Sequence, residues 1–83
     1  MPAWTRLRDL ETTFVGKRPV TRCFGNVFVN NRKASSVGDI ITNFFAISGS
    51  PTVFAGNRAV HRIGDRNSGR GIAIQGSPNV FVN

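Results

Sequence analysis

The chain has 83 residues, a net charge of +7 from 11 Lys+Arg against 4 Asp+Glu, one His and one Cys. That length makes one small domain, and a lone cysteine excludes an internal disulfide. So few acids and one histidine, none clustered with a nucleophile, argue against an enzyme.

A chain this short buries a modest share of its surface, so a metal, a closed ring of strands or a partner has to add stability. The basic balance admits nucleic acid, acidic lipid or an acidic protein as counterpart. The cations form no block. Lys17, Arg18 and Arg22 lie in the first connection, and Arg6, Arg32, Lys33, Arg58, Arg62, Arg66 and Arg70 are spread along the rest. Solubility and a role in adhesion both fit that spread.

In chain order, Met1-Pro2 is a short exposed start and 3–7 a strand. Residues 9–22 are the longest connection. Within it 10–15 fits a helical turn or a strand equally well, and Gly16 and Pro19 predict a loop at its end. A hairpin covers 26–37, turning at Asn30-Asn31, residue types that tolerate positive φ. The apolar run 40–48 predicts a further strand, and it is too short and interrupted to span a bilayer. A second hairpin covers 52–63, turning at Gly56-Asn57. In 66–75, Asn67 to Gly71 predicts a flexible turn and 72–74 a strand. Residues 76–83 are a final strand arm. No signal peptide is recognisable at the start, which implies synthesis in a cytoplasm.

These elements repeat. Gly49-Ser50-Pro51-Thr52-Val53-Phe54-Ala55 aligns with Cys23 to Val29 and with Gly76 to Val82, at starts 26 and 27 residues apart. A constant period of this size marks a repeat architecture. The third copy has an arm but no return strand. The N-terminal stretch Ala3 to Asp9 aligns with Ala59 to Asp65 and is a return strand without its arm. The expectation is an all-β, small cone of three pseudo-threefold β-hairpin repeats, residues 1–83 as one domain, with the N- and C-terminal strands pairing to close the ring and remove exposed sheet edges.

Strand alternation puts Val27 and Val29, Val53 and Ala55, and Val80 and Val82 on one face, and Phe28, Phe54 and Phe81 on the other. The three Phe side chains are expected to meet near the axis as a core. The opposite apolar face is then covered either by the connections or by another chain.

The phrase Gly-Ser-Pro-Thr/Asn-Val-Phe, a hairpin, and then Arg-Ile-Gly-Asp resembles the PAAR-repeat proteins over most of the chain. The tetrapeptide that names the family corresponds to Ala59-Val60-His61-Arg62, with degenerate copies at Lys33-Ala34-Ser35-Ser36 and Ala3-Trp4-Thr5-Arg6. The resemblance implies a non-enzymatic cap on the trimeric β-helical spike of a contractile injection machine. Such a cap sharpens the spike for piercing a cell envelope. A chain with pseudo-threefold symmetry suits a trimer, one cap per three chains. The six small residues Val27, Val29, Val53, Ala55, Val80 and Val82 are the expected spike-binding positions, continuing its strand ladder. A phage tail baseplate is the favoured setting, placing the protein in the virion at the spike tip, with transient contact to the host outer envelope. The alternative is a type VI secretion spike tip, made in a bacterial cytoplasm and delivered outside. With the sequence closing on a repeat arm, the expectation is a bare cap without an effector extension.

Family members usually bind zinc near the tip through histidines and a cysteine. A closed structural zinc site needs four ligands, and this chain offers His61 and Cys23. No cofactor is expected, and packing of Phe14, Phe44 and Phe45 is expected to hold the tip instead. Cys23 with His61 as a nucleophile and base is the remote enzymatic reading. A basic nucleic-acid-binding β module is the remaining alternative; aromatics occurring once per repeat favour packing over base stacking, so no nucleic acid is expected.

Overall fold

Side-chain chemistry at the turns explains where the chain reverses. In the computed structural model, which describes residues 2–83, strand β3 (Phe28–Val29) pairs antiparallel with β4 (Arg32–Lys33), and β7 (Phe54–Ala55) with β8 (Arg58–Ala59). The two residues between each pair have positive φ: Asn30 and Asn31 at 54° and 66°, Gly56 and Asn57 at 59° and 65°. Both central residues being left-handed is the turn that matches strand twist, and Asn and Gly adopt it at least cost.

The molecule is all-β, and there is no helix among the described residues. Two further hairpins lie in the connections. Strand β1 (Leu10–Thr13) pairs with β2 (Gly16–Pro19), and β5 (Ile40–Ile41) with β6 (Phe44–Phe45). Residues 10–13 are therefore a strand, which periodicity left open. Gly16 and Pro19 delimit a strand rather than a loop, because Pro19 sits at its last position, where a missing N–H costs little. The run 40–48 is a hairpin reversing at Thr42 (φ 57°) rather than a single crossing strand. Within 72–74, Ile72 and Ala73 bridge to Arg66 and Glu11.

The hairpin strands are short because each return segment leaves its arm and bonds elsewhere. Thr5 N donates to His61 O at 3.1 Å, His61 N to Ser35 O at 3.0 Å, and Ser35 N to Thr5 O at 2.9 Å, a closed cycle of three bonds. Bridges Trp4–Arg62, Arg6–Ala34 and Ser36–Val60 flank it. Each segment ends in an aspartate whose N–H returns to the residue three earlier: Asp9 to Arg6, Asp39 to Ser36, Asp65 to Arg62. The same carboxylates accept the backbone N–H of those residues at 2.8–2.9 Å. Positive φ recurs just before each aspartate, at Arg8 (75°), Gly38 (96°) and Gly64 (93°).

The chain ends meet. Ala3 bridges Phe81, Trp4 N donates to Val80 O at 3.1 Å and Val82 N to Pro2 O at 2.9 Å. The first bridge has the same register as Phe28–Lys33 and Phe54–Ala59.

Val20, Cys23, Ile41 and Ala46 form a buried apolar cluster, with Leu7 and Phe44 packed on it. The expected core of Phe28, Phe54 and Phe81 does not exist: these rings are 60, 60 and 47 % exposed. The central strands instead bury Thr5, Ser35 and His61, each at 0 %. Backbones bonded this closely leave room for small or polar side chains, not for three phenyl rings.

Candidate functional site

The deepest chemistry lies where the first and third connections meet the second hairpin's return segment. His61 and Glu11 are both fully buried. His61 Nδ1 is 2.8 Å from Ser48 O, and Nε2 is 3.0 Å from both Glu11 carboxylate oxygens. Ser48 O only accepts, so Nδ1 carries a hydrogen. Asn67 Nδ2 donates to Glu11 Oε1 at 3.1 Å, so the Glu11 carboxyl group is held between the His61 ring and the Asn67 amide. Burial alone pulls the imidazole pKa down. The Glu11 hydrogen bond and charge, the Ser48 carbonyl and Asp65 outweigh burial, and the pKa is raised above its ordinary 6.5.

Asn67 locks the third connection around this pair. Its Oδ1 accepts from Gly69 N and Gly71 N, and its Nδ2 also donates to Thr12 O. Gly71 passes so close to β1 that a Cβ there would lie 1.7 Å from Thr12 O. Ser35 Oγ is buried without a hydrogen-bond partner.

Every acid is paired. Asp9 receives Arg6 and Arg32, Asp39 receives Arg58, and Asp65 receives Arg62, at 2.7–2.9 Å. Burial pushes the Asp65 pKa up, but the Arg62 side-chain and backbone hydrogen bonds and its charge outweigh that, and the result lies below the usual 3.8.

Cys23 stands where the other copies have glycine, and the physical consequence is local. A Cβ at Gly49 would sit 2.6 Å from Val60 O. The following residues Ser50 and Ser77 donate their N–H to Val60 O and Trp4 O. Phe24, after Cys23, donates instead to Asp39 Oδ1 at 3.2 Å, and its ring is exposed. The Cys23 thiol packs with Val20, Ile41 and Ala46. Burial, then the charge and hydrogen bond of Asp39, push its pKa up to about 12. Such a thiol is neither a ready nucleophile nor a ready metal ligand.

The two residues weighed as zinc donors therefore do not fit a zinc centre. His61 has both ring nitrogens committed, and Cys23 keeps its proton in an apolar cluster. Among the described residues no three His, Cys, Asp or Glu side chains gather as ligands.

The six small arm residues do not behave alike. Val29 is buried, Val53, Ala55, Val80 and Val82 are half-buried, and Val27 is exposed. The corresponding Phe28, Phe54 and Phe81 are the exposed side chains at equal register positions. Sequence reasoning missed Glu11 and Asn67, since nothing local marks a partner 50 residues from His61. Among the described residues no helix is long and apolar enough to cross a membrane. No protein-family model matches the chain, and no curated protein does either.

Proposed function

We propose that this chain is a non-enzymatic tip protein: a small cone of three pseudo-threefold hairpin units, the third completed by the two chain ends. More particularly, it caps the trimeric β-helical spike of a contractile injection machine, one copy per trimer. A phage tail baseplate is the favoured setting, and a type VI secretion spike the alternative. The single observation carrying this reading is the recurrence of one hydrogen-bond set at three places: the cycle through Thr5, His61 and Ser35, the three flanking bridges, and the register shared by Phe28–Lys33, Phe54–Ala59 and Phe81–Ala3. A surface that repeats three times about one direction suits a partner built from three identical chains.

On this reading the hairpin end faces the spike. Phe28, Phe54 and Phe81 are the anchors there, one for each partner chain, with the small arm residues between them. Exposed aromatics at matched positions are the side chains that carry most binding energy once covered. The tip needs no metal, and stoichiometric zinc in the purified protein would count against that part.

The test is co-purification with a trimeric β-helical spike protein and a measured mass for the complex. One chain per trimer is expected, and Phe28→Ser with Phe54→Ser should weaken it by at least tenfold. A complex of three chains per trimer, or no effect of the serine pair, rejects the reading.

A further inference from the structure

The end of the molecule built from the connections carries a second apolar surface, and its chemistry differs from that of the hairpin end. The turns of the three connections converge there. Phe14 N donates to Gly69 O, the Phe14 and Phe44 rings meet edge to face at 5.4 Å, and Phe45 N and O both bond Ser68. Phe14 is 68 % exposed, and Val15 and Phe45 49 % each. The groove beside them is lined by Ile47, Ile72, Arg66 and Arg70.

Two observations point to the occupant. The first is charge. All four acids are already paired with cations, as set out above, so the positive excess stays uncompensated among the described residues. Of the seven Lys and Arg side chains with no ion pair among the described residues, Lys17, Arg18, Arg22, Arg66 and Arg70 lie in the connections. The hairpin end carries fewer unpaired cations: in its return strands Arg32 and Arg58 are ion-paired with Asp9 and Asp39, and Lys33 alone has no ion pair among the described residues. The second is the backbone at the exposed apex. Thr13 Oγ1 accepts from Val15 N and donates to Gly16 O, Phe14 N is bonded to Gly69 O, and Phe45 has both backbone groups on Ser68. These polar groups are satisfied inside the chain, so the apex leaves water without orphaning them.

We propose that the connection end docks on the interface of an anionic lipid bilayer. Phe14, Val15 and Phe45 enter the boundary between headgroups and acyl chains, while Lys17, Arg66 and Arg70 hold lipid phosphates. Apolar area and attraction to anionic headgroups act together in such binding. A nucleic acid would use the cations and could stack on the two Phe rings, but it gives no reason for exposed Val15 next to Phe14 on a turn whose N–H groups bond inside the chain. The inference deepens the tip reading by naming the surface the tip meets, and it rests on that reading only for which end stays free of the spike. Because the test uses the chain alone, failure of lipid binding and failure of spike binding are scored separately.

The experiment is co-sedimentation of the full chain with phosphatidylglycerol-containing vesicles and with pure phosphatidylcholine vesicles, across a salt series. Binding to the anionic vesicles is expected, at least tenfold tighter than to phosphatidylcholine and weakened by salt. Phe14→Ser with Phe45→Ser should lower it at least tenfold, and Lys17→Gln with Arg70→Gln should lower it and flatten the salt dependence. Phe28→Ser with Phe54→Ser should leave it unchanged. Since the first pair risks unfolding, Val15→Trp supplies a second readout: a blue shift of the added fluorescence on anionic vesicles only. Equal binding to both vesicle types, no blue shift, or loss through the hairpin-end pair overturns the proposal. So does single-stranded DNA binding as tight as the lipid binding and indifferent to Phe14 and Phe45, which assigns the cations to nucleic acid.

Discussion

The return segments and the connections are built on opposite principles. Thr5, Ser35 and His61 differ in size and chemistry, yet their backbones make the same bonds. Asp9, Asp39 and Asp65 end the three segments with the same carboxylate-to-backbone contact. In the connections the following positions hold Glu11, Ile41 and Asn67, and there the three units part company. Glu11 and Asn67 form a charged network with His61, whereas Ile41 packs in the apolar cluster. Backbone bonding tolerates substitution because every residue brings the same N–H and C=O. A buried side-chain layer does not, because each polar atom there needs a particular partner.

The sharpest way to break this contrast is to strand one member of the charged pair. Glu11→Ala leaves buried His61 without its carboxyl partner and Asn67 with one acceptor fewer, and should cost about 3–5 kcal/mol in denaturant unfolding. Glu11→Ile with His61→Thr copies the residue types already present as Ile41 and Thr5. That double variant should be more stable than Glu11→Ala, since it removes both charges. If the double variant is the worse of the two, the pair is not the isolated network described.

A pH series sharpens the same comparison. The His61 pKa is raised above 6.5, so its contribution is complete below pH 6.5 and is lost as pH rises through the folded value. Melting temperature should fall as pH rises above 6.5, and on the part of that limb below the ordinary Cys23 pKa of 9.0 the double variant should flatten it. Asp65 is lowered below 3.8, so its contribution is present above that pH and lost as pH falls through the folded value. Asp65→Asn should flatten the acid limb and leave the alkaline one. An alkaline limb that survives in the double variant would assign it to another group.

The smallest effect belongs to Ser35. Its hydroxyl is buried and unpartnered while its backbone carries the cycle, so Ser35→Ala removes a desolvated group and no bond. A gain of up to about 1 kcal/mol is expected, and a loss of more than that would mean the hydroxyl has a partner.

The all-β character and the two hairpins at Asn30-Asn31 and Gly56-Asn57 were legible because turn chemistry is local and the phrase recurs at a near-constant period. The bridge between Ala3 and Phe81 joins the two segments that the alignment leaves without a complement. The hairpins at β1–β2 and β5–β6 were read less well. Gly16 and Pro19 are breakers by type, and only their partners Thr13 and Leu10 make them strand residues.

The site was far less legible than the fold. Alternation along 27–29 separated Phe28 from its neighbours but did not say which face is covered. His61 drew attention as a possible ligand, yet its partner was Glu11, and Cys23 had nothing to do with it. By itself the order of residues determined where this chain turns, which stretches are strands and how often the pattern recurs, since those follow from φ preferences and spacing. The tertiary structure alone decided which groups are buried and which charges meet. Burial and pairing are properties of neighbours brought together from distant parts of the chain, and no local pattern encodes their distances.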